Sequence, residues 1–454
     1  MKIDQSLSAR ALLPFAQKVA AIGAEKSKTL IRRWNISEGA PVLTVEGRYQ
    51  ARNWTNWTQG FLYGNAILGF DMTGDRDLLE LGRKHVIEDM AEHVTHIGVH
   101  DHGFNCISTY GNLRRLMREG RIAQDDWELR FYDLALKASG SIQAARWTSL
   151  PGSLGYIYSF NGSHSLFIDT IRTLRSCALA HLLGQSLHGE QDCRINLLDR
   201  LIAHLNTTVR YNIYYGEGRD RYDTPESRGR TVHEAVFNPA SGAFRCPSTQ
   251  QGYSPFSTWT RGLAWAMLGT TEQLEFLRSL GPDSSSSDEK RHETVCLLER
   301  AASAVCEFYI TEASASDGIC YWDAGAPSLY RLGDWRIREA DPFNSFEPVD
   351  ASASAIAAQG LLRLGHMLGE QGRSYTAAGL TIAKRLFEEP YLSAQPDHEG
   401  ILLHSIYHHP NGWDYICDAA RVPHGESSMW GDYHLLELAL LIMRISQGSY
   451  YRFF

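Results

Sequence analysis

Residues 56–86 read NWTQGFLYGNAILGFDMTGDRDLLELGRKHV, and this stretch holds the pattern that decides the fold. Apolar residues recur at helical spacing on both sides of a three-residue break, TGD at 73–75. This spacing predicts two helices, near 58–72 and 76–95, joined by a tight turn. A short loop makes two helices antiparallel neighbours, so the stretch is a predicted helical hairpin.

The same helical spacing recurs along the chain and predicts twelve helices in all. They lie near 8–33, 58–72, 76–95, 104–118, 125–140, 164–184, 190–209, 257–279, 287–311, 351–369, 373–388 and 430–446. Short connections leave the even-numbered helices, whereas most connections that enter them are long and rich in Gly, Pro and aromatic residues. This alternation favours an all-α (α/α)6 toroid of six helical hairpins, with short β-hairpins in the long loops of one rim.

The remaining segments fit one domain spanning 1–454. Strand-like alternation is confined to short pieces such as GICYWD at 318–323 and GILLHSIYHH at 400–409. The only low-complexity stretch, GPDSSSSDEK at 281–290, predicts a surface turn on the short-loop rim. No other linker divides the sequence.

Composition narrows the class of protein. Hydrophobic residues make up 43% and charged residues 21% of the 454 positions, as in an ordinary globular protein. A net charge of −8 gives no support for nucleic-acid binding. No apolar stretch has the length of a membrane span, and no signal-peptide core is found at the N-terminus. The eight cysteines form no CxxC pair, which predicts reduced thiols and a cytoplasmic location.

Two aspartates stand in unusual settings. Asp169 lies among apolar residues in HSLFIDTIRTLRSCALAHLLG (164–184), and Asp101 in VHDHGFNC precedes another predicted helix. Burying a lone carboxylate costs several kcal/mol unless it is partnered. A helix-capping role is the alternative and fits Asp101 taken alone, whereas Asp169 lies too far inside its apolar run for a simple cap. Two acids in equivalent settings suggest acid/base chemistry.

Other polar and aromatic residues gather where even-numbered helices begin. In a toroid these ends converge on one mouth, where the helix dipoles favour an anionic ligand. Arg261 and Trp265 lie four residues apart and share a helix face. Such a pair suits a sugar acid, with the indole stacked on the ring and the guanidinium on the carboxylate. Alternatively, the tryptophan belongs to the core and Arg261 extends its head group to solvent.

His233 lies on a predicted short strand closed by an Asn-Pro turn. Its near-neutral pKa makes it a candidate, although a lone loop histidine is more often structural. The 18 histidines include no HxxxH or HExxH pair with a matching acid on a helix, so no metal is predicted. No phosphate loop, G-x-S-x-G elbow or coenzyme fingerprint occurs, and no cofactor is predicted.

Seven motifs together resemble, in the same order, those of unsaturated glucuronyl hydrolases, glycoside hydrolase family 88. They are NWTQGFLYGNAILGFDMTGD, HDHGF, FIDTIRTL, VHEAVFNPASG, QGYSPFSTWTRGLAW, VDASASAIAAQGLL and MWGDYHLLELALL. The resemblance runs from about Asn56 to about Leu441 and implies the (α/α)6 barrel that the loop lengths also favour. It implies substrates produced by polysaccharide lyases, which are oligosaccharides ending in a 4,5-unsaturated uronic acid.

The resemblance also assigns site residues. It implies that Asp169 is the general acid/base and Asp101 the second essential acid. The positions that match the family's substrate-binding residues are Trp57, His233, Gln251, Arg261, Trp265 and, in a looser alignment with its neighbour His408, Tyr407. In the implied reaction Asp169 protonates C4 of the double bond while water adds at C5. This role requires a raised pKa at Asp169, which its apolar neighbours, the charge of Asp101 and the charge of the substrate carboxylate should provide.

The sequence departs from the family pattern at several positions. These are Gln250 in place of a histidine, Phe237-Asn238-Pro239 in place of FDP, Thr173 preceded by Arg172 in place of an asparagine, and two segments, 324–349 and 409–427, that look longer than usual.

Two other functions stay open. One is an inverting hydrolase of saturated glycosides that uses the same two acids. The other is a carbohydrate-binding toroid without catalysis.

Overall fold

The structure, a computed structural model, describes residues 1–52, 55–281 and 287–454. Its α-helices are α1 Ala9–Arg33, α2 Gln59–Thr73, α3 Arg76–Asp89, α4 Ala91–Val94, α5 His102–Cys106, α6 Asn112–Arg118, α7 Asp126–Ala145, α8 Thr170–Thr173, α9 Arg175–Leu182, α10 Leu197–Tyr211, α11 Thr260–Ser279, α12 Ser287–Phe308, α13 Ala351–Leu368, α14 Arg373–Leu386 and α15 Met429–Ser446. A π-helical turn, Ile107–Gly111, joins α5 to α6.

The strands are short and antiparallel. They are β1 Pro41–Val45, β2 Arg48–Ala51, β3 Trp147–Ser149, β4 Gly155–Ile157, β5 Ser165–Phe167, β6 Ser186–His188, β7 Arg194–Asn196, β8 Glu234–Phe237 and β9 Phe244–Ser248. Consecutive strands pair as hairpins, except that β5 joins β8 and β9 in a three-stranded sheet. This sheet lies in the long connections that lead to α8 and α11.

The helices form a closed double ring, which confirms the predicted (α/α)6 toroid. The inner ring consists of α2, the α5–α6 rod, the α8–α9 rod, α11, α13 and α15, and each of these packs on the next until α15 meets α2. The outer ring consists of α1, α3, α7, α10, α12 and α14. Inner helices are buried on all sides, as in residues 351–365 of α13, whereas outer helices bury a single face.

Charged side chains fill part of the barrel axis. Deeper along the inner helices than the mouth, the guanidinium of Arg172 lies 3.0 Å from Glu272 and 2.8 Å from Glu437, and Arg363 lies 2.7 Å from Glu275. All five side chains are nearly or completely buried. Because buried charges require partners, this network holds four of the inner helices, α8, α11, α13 and α15, in one arrangement.

Several sequence expectations were wrong in detail. The predicted helix 164–184 begins only at Thr170, since residues 165–167 form β5 instead. The predicted helix 190–209 begins at Leu197, after the β6–β7 hairpin. A short apolar run does not separate a buried strand from a buried helix by its periodicity alone. The strand-like pieces 318–323 and 400–409 form only isolated bridges.

Two further expectations concern the surface and the membrane. Residues 282–286 of the predicted surface turn at 281–290 lie outside the described residues. Within the described ranges, no helix is both long enough and apolar enough to cross a membrane.

Candidate active site

The N-terminal ends of the inner helices surround a cavity of about 190 Å³ at the mouth of the barrel. Seven of the eight residues that the sequence suggested for the site line it: Trp57, Asp101, Asp169, Gln251, Arg261, Trp265 and Tyr407. They come from loops and helix starts far apart in sequence. The fold therefore brings into one cavity the polar and aromatic residues that the sequence analysis identified at separate positions.

Asp101 and Asp169 occupy the same position on two neighbouring inner helices. Asp101 directly precedes α5 and Asp169 directly precedes α8. Neither side chain accepts a capping hydrogen bond, so the structure does not support the capping alternative. Both carboxylates are buried, with 6% and 7% of the residue surface exposed, and both line the cavity.

A close helix crossing brings the two acids together. Gly103, two residues after Asp101, packs directly on the backbone of Thr173 in α8. A Cβ atom at position 103 would overlap that backbone, so only glycine permits the approach. The side chain of Arg175 adds a hydrogen bond of 2.9 Å to the carbonyl of Gly103. The packing of α5 on α8 thus places the two acids at neighbouring helix starts.

His100 lies between the two carboxylates. Its Nε2 is 3.2 Å from Oδ1 of Asp169 and 3.7 Å from Oδ1 of Asp101. The imidazole is buried, and Phe160 and Phe167 pack on it at centroid distances of 5.9 and 5.6 Å. The site therefore contains a triad of titratable groups where the sequence suggested a pair.

The three groups shift one another's pKa values. Burial raises the pKa of Asp101, and the charge of Asp169 adds to this, while His100 opposes it. Burial also favours a raised pKa at Asp169, but the hydrogen bond and the charge of His100 outweigh it, so the pKa of Asp169 is lowered. Burial lowers the pKa of His100, but the two carboxylates outweigh that effect and raise it.

These directions correct one sequence expectation. A raised pKa was predicted for Asp169, and the structure places the raised carboxyl pKa on Asp101 instead. The physical reason is the hydrogen bond from His100, which stabilises the charged form of Asp169. The hydrogen bond thus favours the charged forms of both partners, the carboxylate of Asp169 and the imidazolium of His100.

Aromatic rings form another part of the cavity wall. The indole of Trp57 stacks on Trp430 with 5.0 Å between centroids, and its Nε1 lies 3.4 Å from the hydroxyl of Tyr407. Trp265 is buried and contacts Phe104 at 4.9 Å. Trp265 therefore belongs to the core, as one alternative held, and still presents part of its ring to the cavity.

Arg261 is fully engaged within the protein. It donates to Asp350 at 2.9 Å, to Oε1 of Gln251 at 2.7 Å and to the backbone carbonyls of Ile406 and Tyr407. Trp259 and Trp430 lie against its guanidinium at 4.8 and 5.0 Å. Both terminal nitrogens of the guanidinium thus already donate hydrogen bonds within the protein. The expected pair of hydrogen bonds from Arg261 to a ligand carboxylate would have to replace some of these bonds.

His233 is the one suggested residue that does not line the cavity. Its ring is buried between Phe167 and Trp259, at 4.3 and 4.6 Å, and burial lowers its pKa to about 4. Its Nδ1 accepts hydrogen bonds from the backbone amides of Gln250 and Gln251. In this structure His233 supports the cavity wall from behind, and its direct contact with a ligand stays a prediction.

Several lining residues were not found from the sequence. They are Thr55, His100, Phe104, Phe160, Asn161, Gln250, Trp259, Asn411 and Trp413. His100 had a usable signal, since it directly precedes Asp101 in the HDHGF motif. Phe160 and Asn161 lie in a loop whose position depends on the β5–β8 pairing, which the sequence did not predict.

A metal-like cluster occurs elsewhere on the molecule. Among the described residues, His85, Glu88 and Asp89 form the one group with metal-ligand spacing, and none of the three lines the cavity. Nδ1 of His85 and the hydroxyl of Tyr63 already bond Asp89, at 2.8 and 2.6 Å. This cluster supports no metal assignment for the cavity.

Comparisons with known proteins agree with the fold and with the sequence resemblance. The chain is 24% identical over 408 residues to the unsaturated chondroitin disaccharide hydrolase of Streptococcus agalactiae, covering 87% of this chain and 83% of that protein. It is 26% identical over 423 residues to the unsaturated glucuronyl hydrolase of Bacillus sp. strain GL1, covering 89% and 90%. No protein-family model matches the sequence.

A solved structure shows the same architecture. A crystal structure of an unsaturated glucuronyl hydrolase specific for heparin superposes with a TM-score of 0.71 at 20% identity, covering 97% of this chain and 99% of that chain. The similarity to unsaturated glucuronyl hydrolases noted in the sequence is thereby confirmed, and so is the helical toroid.

Proposed function

We propose that the protein is a glycoside hydrolase of the unsaturated glucuronyl hydrolase type, resembling family 88. Its substrates are oligosaccharides, produced by polysaccharide lyases, that end in a 4,5-unsaturated uronic acid. One observation carries the proposal: two buried carboxylates and a bridging imidazole face a single cavity with an aromatic wall. The relatives named above, which span most of the chain, support this substrate class.

The reaction is a hydration of the C4=C5 double bond. Asp169 delivers a proton to C4, and a water molecule adds its oxygen at C5 as its own proton passes to the same carboxylate. The product is a hemiketal at C5, whose C5–O5 ring bond opens to give a ketone. O5 then forms a hemiacetal hydroxyl at C1, and this hemiacetal collapses to an aldehyde and releases the remaining chain as an alcohol.

The triad supplies the proton for this step. His100 holds a proton on the nitrogen that lies 3.2 Å from Asp169, so a short shift along that hydrogen bond makes Asp169 an acid. A substrate carboxylate entering the buried cavity adds a second negative charge near Asp169, which raises the carboxyl pKa and favours the shift. The charge of Asp101 adds to the field that holds His100 protonated.

Substrate recognition follows from the cavity wall. Trp57 and Trp265 provide apolar surface for the uronic acid ring. Arg261 accounts for the orientation of Gln251, because its bond to Oε1 directs the amide Nε2 away and leaves it able to donate to the uronate carboxylate. Arg261 is in this proposal a positioning residue, and its buried charge adds to the attraction for an anion.

Ultraviolet absorbance tests the proposed activity directly. The enol ether absorbs and the saturated product does not, so incubation with unsaturated disaccharides from several lyases should abolish the absorbance band. Matched saturated disaccharides should remain intact. Cleavage of saturated disaccharides would instead favour the inverting hydrolase, and tight binding without product would favour a binding protein.

His100→Gln should move the pH profile of turnover. In the wild type the alkaline limb reports loss of the proton shared by His100 and Asp169, at the raised pKa of His100. In the variant only the Asp169 carboxyl holds that proton, so the limb should move about one pH unit or more toward acid. The profile of kcat against pH measures this shift.

The control for this variant is His188→Gln, which changes an exposed histidine of β6. It should keep the wild-type profile. A wild-type profile in His100→Gln as well would remove His100 from the proton path.

The proposal includes a cytoplasmic location. All eight cysteines are free thiols, which suits a reducing compartment. Secreted lyases would then supply substrate only after import of their oligosaccharide products, and cell fractionation tests this location.

A further inference from the structure

We infer that a second cleft beside the cavity binds uncharged sugar residues of the substrate beyond the bond that is broken. This inference rests on the proposed function. The second cleft, here called the outer cleft, has a volume of about 330 Å³. Its aromatic lining comes from Tyr253, Trp322, Phe346 and His409.

The outer cleft and the catalytic cavity share two loops. In the first loop, Gln250 and Gln251 line the cavity, and Tyr253 lines the outer cleft. In the second, His408 and Asn411 line the cavity, and the intervening His409 and Pro410 line the outer cleft. A saccharide chain that leaves the cavity over either loop therefore meets the outer cleft next.

Hydrogen bonds fix the walls of the outer cleft in place. The indole of Trp322 donates to Glu347 at 2.7 Å, and the amide of Ser328 donates to the same carboxylate at 2.6 Å. The amide of Tyr253 donates to Asp323 at 2.8 Å. The aromatic rings are thus held on rigid backbone, which lowers the entropy cost of ligand binding.

The chemistry of the lining selects an uncharged sugar. Tyr253 is 52% exposed and Phe346 is half-buried, so both offer apolar ring surface to a ligand. No lysine or arginine occurs among the residues that line this cleft, and its single carboxylate, Glu347, is held by Trp322 and Ser328. The guanidinium of Arg331, which is not a lining residue, lies over the ring of Phe346 at 5.6 Å from its centroid. A sulfate or carboxylate substituent would meet no cation among the lining residues and would lie near the carboxylate of Glu347.

The outer cleft also gives a role to two segments that depart from the family pattern. Phe346 and Glu347 belong to the segment 324–349, and His409 and Pro410 belong to the segment 409–427. Both segments look longer than usual in the sequence, and in this structure they meet to form one wall.

A comparison of unsaturated disaccharides and trisaccharides tests the inference. The trisaccharide carries an uncharged third sugar, and its kcat/KM in the wild type should exceed that of the disaccharide. Tyr253→Ala should lower kcat/KM for the trisaccharide by about tenfold, so that the ratio of the two substrates falls toward one. Tyr253→Phe keeps the ring and should retain most of the advantage.

The matched control is Tyr330→Ala, which removes a tyrosine that is 73% exposed and lies outside both clefts. It should keep the wild-type ratio. A third sugar that carries a sulfate should lose the advantage in the wild type.

The possible failures are distinct. If the wild type hydrolyses no unsaturated saccharide, the proposed function fails. If it hydrolyses the disaccharide but gains nothing from the third sugar, or if Tyr253→Ala keeps the wild-type ratio, only the outer-cleft inference is overturned.

Discussion

Asp169→Asn should abolish turnover while leaving the folded protein intact. The substitution keeps the size and shape of the side chain but removes the group that delivers and receives the proton. We expect kcat to fall by a factor of about 10³ or more, since general acid/base catalysis contributes about 10² to 10⁴ and the same carboxylate acts in both directions. Initial rates from the loss of enol-ether absorbance measure the effect.

Binding separates this effect from a structural one. Titration calorimetry with the unsaturated disaccharide should show an affinity close to that of the wild type, because Trp57 and Gln251 remain in place. Circular dichroism should show an unchanged helical signal. Asp125→Asn is the control, since Asp125 caps α7 at the surface through the amide of Glu128 and has no part in the cavity. Substantial turnover by Asp169→Asn would refute the assignment.

Asp101→Asn should reduce turnover and also change its pH dependence. The charge of Asp101 is the first of the influences that raise the pKa of His100 against burial. Without it, His100 should lose its proton at lower pH, and the alkaline limb of kcat should move toward acid. We expect kcat near neutral pH to fall by about 10²-fold.

The sign of this shift follows from the pKa directions. A group with a raised pKa keeps its proton to higher pH, so removal of the influence that raises it brings the loss of the proton to lower pH. The same control, Asp125→Asn, should leave the profile in place. An unaltered profile and rate in Asp101→Asn would reduce Asp101 to a structural residue at the start of α5.

The architecture of the protein could be predicted from loop lengths and helical spacing. Hairpins such as α2–α3 are visible in sequence because a short turn with Gly74 separates two apolar patterns. The β5 strand was hidden, because three apolar residues before Asp169 continue the apolar pattern of the helix behind them. Their conformation depends on pairing with β8, more than sixty residues later, and this pairing cannot be predicted from the local sequence.

The residues of the candidate site could be predicted from the sequence more fully than their pKa values and hydrogen bonds. Seven suggested residues line one cavity because the starts of the inner helices meet there. The pKa of Asp169 could not be predicted, since it depends on an imidazole nitrogen 3.2 Å away. The engagement of Arg261 within the protein also depends on tertiary contacts, namely those with Asp350 and with the carbonyls of residues 406 and 407. The single domain predicted over 1–454 stays a prediction.

Proton donation by Asp169 explains why the carboxylate has to be buried. In water, Asp169 would hold its charge and donate no proton at neutral pH. In the proposed mechanism, a change of nearby charge moves the proton from His100 to Asp169, because charges interact strongly away from solvent. In this proposal, the charge of an entering anionic substrate favours protonation of Asp169. This coupling suits an enzyme for unsaturated uronic acids and does not help a neutral substrate.

Proton nuclear magnetic resonance of early product formed in deuterium oxide tests the central claim most directly. If Asp169 protonates C4, each turnover should place a single deuterium on C4, on one face only, as the C4=C5 double bond disappears. Direct hydrolysis at the anomeric carbon would contradict the account, and it would release an unsaturated uronic acid without stereospecific deuterium at C4.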